Sequence, residues 1–275
     1  MTVDELLSGT IIPIDKPRQW TSFQAVNKVK SAIRNTYDLK KFKIGHAGTL
    51  DPLATGLLLV CVGKATKRID ELQAGEKVYS GTIVLGATTP CYDLERAIDH
   101  YYPYEHITLD NIRNILPQFM GTIEQVPPIF SAVKIGGQRA YTYARKEASD
   151  SGSEGREAEP SPTPKNVTIY EFDITDFRPG QPSAIAEPVD TPCTSPDAPT
   201  HHLYDHPQGT IPPHLPQLDF RIRCSKGTYI RSIARDLGLA LDSGAFLSAL
   251  RREQIGSYTL SDAITLDQIA TFLQQ

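Results

Sequence analysis

The stretch that most restricts the fold runs from residue 45 to residue 62. Its first twelve positions hold three glycines and a proline (Gly45, Gly48, Gly56 and Pro52), and six apolar residues follow without a break: Leu57, Leu58, Leu59, Val60, Cys61 and Val62. The first part reads as a loop, since glycine reaches backbone angles closed to other residues and proline has no N–H for a ladder. The second part is far shorter than the roughly 20 apolar residues of a membrane span and reads as a buried strand. Around it, strands and helices mix without a regular βαβ rhythm, which predicts a mixed α/β domain on a largely antiparallel sheet. Residues 10–14 read as a strand that lies at a sheet edge or carries a bulge, because of Pro13. Residues 77–85, 167–177 and 218–224 read as further strands. Helices are predicted over 23–33, where Val26, Val29 and Ile33 recur behind a Ser22 cap, and over 109–119 behind Thr108. The C-terminal part adds helices over 229–239 and 245–250, and a last one marked by Thr265 and Gln268 as a capping box. Between these lie a Pro127-Pro128 break, a hairpin closed by Gly136-Gly137 and a short helical turn over 141–146.

Two stretches fall outside this pattern. Residues 149–164 are rich in Ser, Glu, Gly and Pro with no periodicity, and residues 178–217 contain ten of the chain's 21 prolines. Both read as flexible insertions in a single domain spanning 1–275, and the residues after 252 are too few for an accessory RNA-binding domain. His201, His202, His206 and His214 lie in the second stretch and read as exposed loop residues, so no metal site is expected. Charge is divided along the same lines. The net charge is -4, yet residues 147–217 hold 12 acids to 3 bases, while residues 10–80 hold 12 bases to 6 acids. A locally basic region of that kind can attract a phosphate backbone despite the total. Four scattered cysteines without a C-x-x-C pair indicate neither disulfides nor zinc, and the N-terminus lacks a secretory signal, so a reducing cytoplasm is expected and no membrane.

Within residues 45–56, Asp51 is the residue suited to chemistry. Pro52 restricts it toward an extended conformation, and a carboxylate held on a loop before a buried strand can act as nucleophile or base. Asp-Pro also starts ordinary turns, with the carboxylate bonded to nearby backbone. The surrounding residues resemble, position for position, the G-H-x-G-x-L-D-P-x-A-x-G motif of the bacterial tRNA pseudouridine-55 synthase (TruB-like) family. The resemblance extends to D-K-P at 15–17, K-x-Y at 77–79, G-T-Y-I-R at 227–231 and G-A-x-L-x-x-L-R-R at 244–252. Residues 126–134 are similar to the family's P-P-x-Y-S-A-x-K run, with Phe130 in place of the usual Tyr.

That resemblance implies the pseudouridine synthase fold, a bent and largely antiparallel sheet with flanking helices and a central RNA-binding cleft. It implies a T-loop uridine of tRNA as substrate, isomerised with no cofactor by a monomer that needs no protein partner. Asp51 is implied as nucleophile and Arg231 as the guanidinium that orients it. Tyr79 would stack on the flipped uracil, Tyr229 would be a second tyrosine of the site, and Leu250 would give the pocket an apolar face. His46 would fill the space left by the flipped nucleotide. Lys16, Lys64, Lys67 and Arg68 would meet backbone phosphates, which position RNA without reading its sequence. Two other readings are an RNA-binding module without turnover and a synthase acting on a different RNA. The first predicts loss of Asp51, Tyr79 or Arg231, and all three are present.

Overall fold

The computed structural model describes residues 1–128, 134–135, 138–139, 162–181 and 211–275. Most of the predicted insertions, the helical turn over 141–146 and Phe130 lie outside the described residues. The frame is a nine-stranded sheet in the order β1 (Ile11–Lys16), β3 (Thr55–Val62), β12 (Ala245–Ile255), β4 (Lys77–Leu85), β11 (Gln217–Cys224), β10 (Lys165–Arg178) and β7 (Gly121–Gln125). β2 (Ile44–Ala47) pairs with β3, and β13 (Tyr258–Thr259) with β12. Every pairing in this sheet is antiparallel except β12 on β3. Two short ladders stand apart: β5 (Ala87–Thr88) with β6 (His100–Tyr101), and β8 (Lys134–Ile135) with β9 (Gln138–Arg139), the latter at the predicted hairpin.

β3 has buried residues on both faces because two apolar layers enclose it. On one side Leu58, Val60 and Val62 meet Val26, Val29 and Ile33 of α2 (Ser22–Tyr37), together with Leu6 of α1 (Val3–Gly9) and Ile269 and Leu273 of the last helix. On the other side Leu57, Leu59 and Cys61 meet Leu72 of α3 (Ile69–Ala74) and Ile255. A third cluster joins the inner face of β4, β11 and β12 to α4 (Leu109–Ile115) and to α5 (Ile230–Ala240) through Ile112, Ile233 and Leu237. α6 (Ile269–Gln274) closes the chain, with the Gln268 side chain accepting from the Thr265 N–H at 2.9 Å.

Three expectations are corrected. Residues 245–250, read as a helix, form the first half of β12, whose pairing with β4 runs from Ala245–Leu85 to Ile255–Lys77. Their apolar spacing suits a helix in isolation, but the long ladder with β4 prevails. The α2 cap is Thr21 and not Ser22: the Thr21 hydroxyl accepts from Gln24 N–H while the Gln24 side chain accepts from Thr21 N–H, a capping box. Finally, the end of the proline-rich stretch is not outside the core. Leu215 is buried in the third cluster and the Pro216 carbonyl accepts from Leu85 N–H at 2.9 Å.

Candidate active site

β3 meets two strands along one edge. Residues 59–62 pair with β2, whereas Thr55 and Gly56 pair with β12. Leu57 and Leu58 lie at the split, and the loop from β2 to β3, which carries Asp51, leaves the sheet there. A carbonyl at such a gap needs a donor. Arg252, only 1 % exposed, supplies it: Nε donates to the Leu57 carbonyl at 2.8 Å and Nη2 to the Gly48 carbonyl at 3.0 Å, with Nη1 on the Thr49 carbonyl at 3.5 Å. One guanidinium thus ties β12 to both ends of the loop. Gly56, at φ +100°, fits here because a Cβ would come within 2.3 Å of the Arg252 carbonyl oxygen.

The middle of the loop is held from the other side. Ser22 Oγ accepts from Leu50 N–H at 2.9 Å and faces the Leu50 carbonyl at 3.2 Å. Gln19 N–H donates to the Pro52 carbonyl at 2.8 Å, and Ala54 N–H to the Asp51 carbonyl at 3.1 Å. Asp51 is therefore fixed through its neighbours while its side chain stays 39 % exposed.

Arg231 comes to it from the first turn of α5. The Gln125 amide anchors that turn, accepting from Tyr229 N–H at 2.8 Å and donating to the Tyr229 carbonyl at 3.1 Å. Arg231 Nε lies 3.0 Å from Asp51 Oδ2 and 3.7 Å from Asp93 Oδ2, and Nη1 donates to the Cys91 carbonyl at 3.1 Å. Burial works against this charge, yet Asp51 and Asp93 outweigh it and raise the Arg231 pKa above its ordinary value. Burial raises the Asp93 carboxyl, and Arg231 pulls it back down. A buried cation between two carboxylates, one buried and one half-exposed, leaves Asp51 as the member able to reach a ligand. The three line a pocket with Leu53, Ala54 and Leu250 that encloses about 20 Å³, room for about one water. Its Leu53–Leu250 wall continues into an open cleft of about 430 Å³ flanked by Arg18 and Arg251.

Of the residues singled out in the sequence, Asp51, Arg231 and Leu250 meet in this pocket. Tyr79 is buried behind it on β4, in the same apolar cluster as Leu50 and Ala54. Burial raises its pKa, with the nearby Arg252 guanidinium pulling the other way, so the phenol stays protonated at pH 7. Tyr229 is half-buried at the start of α5. His46 is half-buried on β2, and its Nδ1 has no hydrogen-bond partner among the described residues. Burial, reinforced by Arg252, lowers its pKa, so the ring is neutral at pH 7.

The lysines separate into two groups. Lys16 is fully buried and cannot meet a phosphate: its ammonium donates to the carbonyls of Pro17, Trp20 and Pro52 at 3.0, 2.7 and 3.2 Å, and burial brings its pKa down to about 8. It is a strut under the Asp51 loop. Lys64, Lys67 and Arg68 are exposed on the 3₁₀ turn Gly63–Arg68, at the far end of β3 from Asp51. Asp93, Arg252 and Ser22 were missed as functional residues. Asp93 stands in no motif quoted above, and only the fold brings it to Arg231. Arg252 did stand in the R-R pair, where the preceding Leu drew attention first. Among the described residues, no group of three or more His, Cys, Asp or Glu side chains could hold a metal.

Comparison with known proteins places the chain in a family. The family model described as TruB family pseudouridylate synthase (N terminal domain) matches residues 34–187, and that of the tRNA pseudouridylate synthase B C-terminal domain matches residues 231–275. A tRNA pseudouridine synthase B of Flavobacterium johnsoniae is 46 % identical over 275 residues, covering 100 % of both chains. One from Parabacteroides distasonis is 42 % identical over 98 % of this chain and 96 % of its own. Among solved structures, a chain of a Cbf5-Nop10-Gar1 complex superposes with a TM-score of 0.62 at 23 % identity, over 99 % of this chain and 57 % of that one, which shows a shared fold. With its Asp51–Arg231 pair in a cleft of this sheet and its full-length relatives, the chain belongs to the TruB family of tRNA pseudouridine synthases.

Proposed function

We propose that this enzyme isomerises a uridine in the T loop of tRNA, at position 55, with Asp51 as the nucleophile, and that it does so as a cofactor-free monomer in the cytoplasm. The observation that carries the assignment of Asp51 is its contact with Arg231, a guanidinium 5 % exposed and 3.0 Å away, in a pocket with an apolar Leu250 wall.

The reaction breaks the bond from C1′ to N1 and forms one from C1′ to C5, while C5 loses a proton and N1 gains one. Atoms and electrons balance within the substrate, so neither oxidant nor donor enters. What the protein must supply is a carboxylate near C6 and C1′, a wall against which the free uracil can turn, and a way to return the C5 proton. Arg231 aims the Asp51 carboxylate, with its Nε 3.0 Å from Oδ2 on a planar fork fixed by burial. Leu53 and Leu250 offer the apolar wall, and the protonated Tyr79 phenol lies behind it. The uracil reaches Asp51 from the open cleft, across the Leu53–Leu250 wall that the cleft and the pocket share. Three buried free cysteines suit a reducing compartment.

The test is to incubate the protein with unmodified tRNA transcript and map pseudouridine chemically. Asp51→Asn should abolish turnover and leave tRNA affinity within about tenfold, because a transition-state role weighs on rate and not on ground-state binding. Pseudouridine formed by a clean preparation of that variant would remove Asp51 from the chemistry.

A further inference from the structure

The Arg231 guanidinium is held by residues 91 and 93, and the residue between them is strained. Among the described residues four other than glycine have a positive φ, and Tyr92, at +60°, is the aromatic one. A bulky side chain avoids that left-handed conformation, which glycine or asparagine usually takes. Here it closes a turn. Tyr92 N–H donates to the Thr89 carbonyl at 3.1 Å, and the Tyr92 carbonyl accepts from Leu247 N–H at 2.9 Å. The Cys91 carbonyl then meets Arg231 Nη1 at 3.1 Å, and Asp93 Oδ2 lies 3.7 Å from Nε. The second Asp93 oxygen, Oδ1, accepts from Glu95 N–H at 3.0 Å.

A strained residue persists only where its surroundings hold it. Arg235 supplies the hold. It follows Arg231 by one turn of α5 and shares its face. Its guanidinium carbon lies 5.3 Å from the centre of the Tyr92 ring. The Arg235 side chain is 18 % exposed, so this cation–π contact is stronger than one on an open surface. Nε donates to Asp236 Oδ1 at 2.7 Å and Nη2 to the Val126 carbonyl at 3.3 Å, which fixes the guanidinium. Two arginines one turn apart thus grip three consecutive residues: Arg231 takes the carbonyl of 91 and the carboxylate of 93, and Arg235 takes the ring of 92.

We infer that Tyr92 and Arg235 are positioning residues for the Asp51–Arg231 pair: the contact between ring and guanidinium keeps the turn left-handed, and the turn keeps Arg231 aimed. The inference rests on the Asp51 reading above and deepens it. Neither residue lines the Asp51 pocket, so each acts on the reaction through Arg231. Satisfying the backbone does not account for Arg235, because the Val126 carbonyl also accepts from Ser232 Oγ at 2.8 Å.

The test separates conformation from bulk at residue 92. Tyr92→Phe keeps the ring, Tyr92→Leu keeps bulk without a π face, and Tyr92→Gly loses both but adopts a positive φ freely. Each variant is first shown to fold by circular dichroism. Single-turnover rates at saturating tRNA transcript should then rank Tyr92→Phe above Tyr92→Gly above Tyr92→Leu. Tyr92→Leu should fall about tenfold to a hundredfold, the scale of a group displaced by about an ångström. Its Kd for tRNA should stay within about twofold, since the loss belongs to the transition state. A ranking by size, with Tyr92→Gly below Tyr92→Leu, overturns the inference. So does an unchanged rate in Tyr92→Leu, or a loss carried by Kd in place of rate. Arg235→Met should also slow turnover, and adding Tyr92→Gly to it should restore part of the rate, because a relaxed turn needs no clamp. A further loss in that double variant overturns the inference as well, and this pair decides alone should Tyr92→Leu not fold. Arg231 is also read without turnover, from its Nε–H resonance in protein made with isotope-labelled arginine and assigned by its absence in Arg231→Lys. The resonance should stay sharp in the native chain, Tyr92→Phe and Tyr92→Gly, and broaden in Tyr92→Leu and Arg235→Met. A native chain that shows this pattern but makes no pseudouridine sinks only the assigned reaction. A native chain that makes pseudouridine, with a resonance indifferent to Tyr92→Leu and Arg235→Met, sinks only the positioning role.

Discussion

Two arginines, one position into α5 and the other on β12, divide the work of the site between them. Arg231 holds the carboxylate itself, and Arg252 holds the loop that carries it, so the same substitution should have different consequences at each. Arg231→Lys keeps the charge but loses the planar fork that serves Asp51, Asp93 and the Cys91 carbonyl together. We expect a folded protein whose single-turnover rate at saturating tRNA falls about 10²–10³-fold, the range seen when one preorganised electrostatic partner is removed. A rate near that of the native chain would make Arg231 peripheral. Arg252→Lys can satisfy one carbonyl where the guanidinium reaches three. Leaving buried carbonyls unmet costs roughly 1–3 kcal/mol, so urea unfolding should show the loss of stability together with slower turnover. The Asp51 loop and both arginines stand in recognisable motifs, which is why the meeting of Asp51 with Arg231 could be expected from the sequence. Asp93 could not, because nothing local marks a carboxylate that acquires its role only when packed against Arg231. Lys16 was misread for a related reason: a lysine beside a motif looks like a phosphate ligand, and only the packed fold shows its ammonium spent on three carbonyls.

At the scale of elements, the decisive one is β12. It joins two halves of the sheet, lying antiparallel to β4 along most of its length and parallel to β3 at Arg251 and Arg252. The contact with β3 is close enough that Gly56 admits no side chain. Gly56→Ala would combine a strained left-handed φ with a clash against the Arg252 backbone. We expect a loss of roughly 2 kcal/mol or more, read as a lower urea midpoint at unchanged slope. An unaffected midpoint would show that β3 and β12 can part without cost. The long strands β3, β4, β10 and β11 and the helices α2, α4 and α5 could be placed from their sequence patterns, since Leu57 to Val62 or the apolar face of α2 announce themselves locally, whereas α1, α3 and β2 could not. Nor could β12, since residues 245–250 satisfy helical spacing equally well and their partner strand lies more than 150 residues earlier. Cap identity was also ambiguous: Thr21 and Ser22 are both good N-caps, and the choice follows from Ser22 being engaged by Leu50.

For the whole molecule, burial of ionisable groups gives stability a definite pH profile. Burial lowers Lys16 and Lys77 to about 8, from the 10.5 of an ordinary lysine. Below pH 8 both states hold the proton and the cost of burying two ammonium groups is present in full. Between about 8 and 10.5 the unfolded chain binds more protons than the folded one, so stability rises with pH. The buried thiols Cys61, Cys91 and Cys224 act in the opposite sense, pushed up from 9.0 to about 11, 12 and 11. Above pH 9 the unfolded thiols ionise while the folded ones do not, and stability falls. The thermal midpoint should therefore climb from pH 7.5 to about 9 and turn over beyond it, with the climb reduced in Lys77→Met. A midpoint that declines steadily from pH 7.5 would contradict this balance. The order of the sheet has one more consequence, for the chain as it is made. β4 is complete at Leu85, yet both strands that flank it come from residue 217 onward. At a synthesis rate of 5–20 residues per second, roughly 7–26 seconds pass before the first flanking strand begins. During that interval an apolar strand leaves the ribosome with both edges open, which makes the nascent chain, more than the finished enzyme, the form most in need of a chaperone.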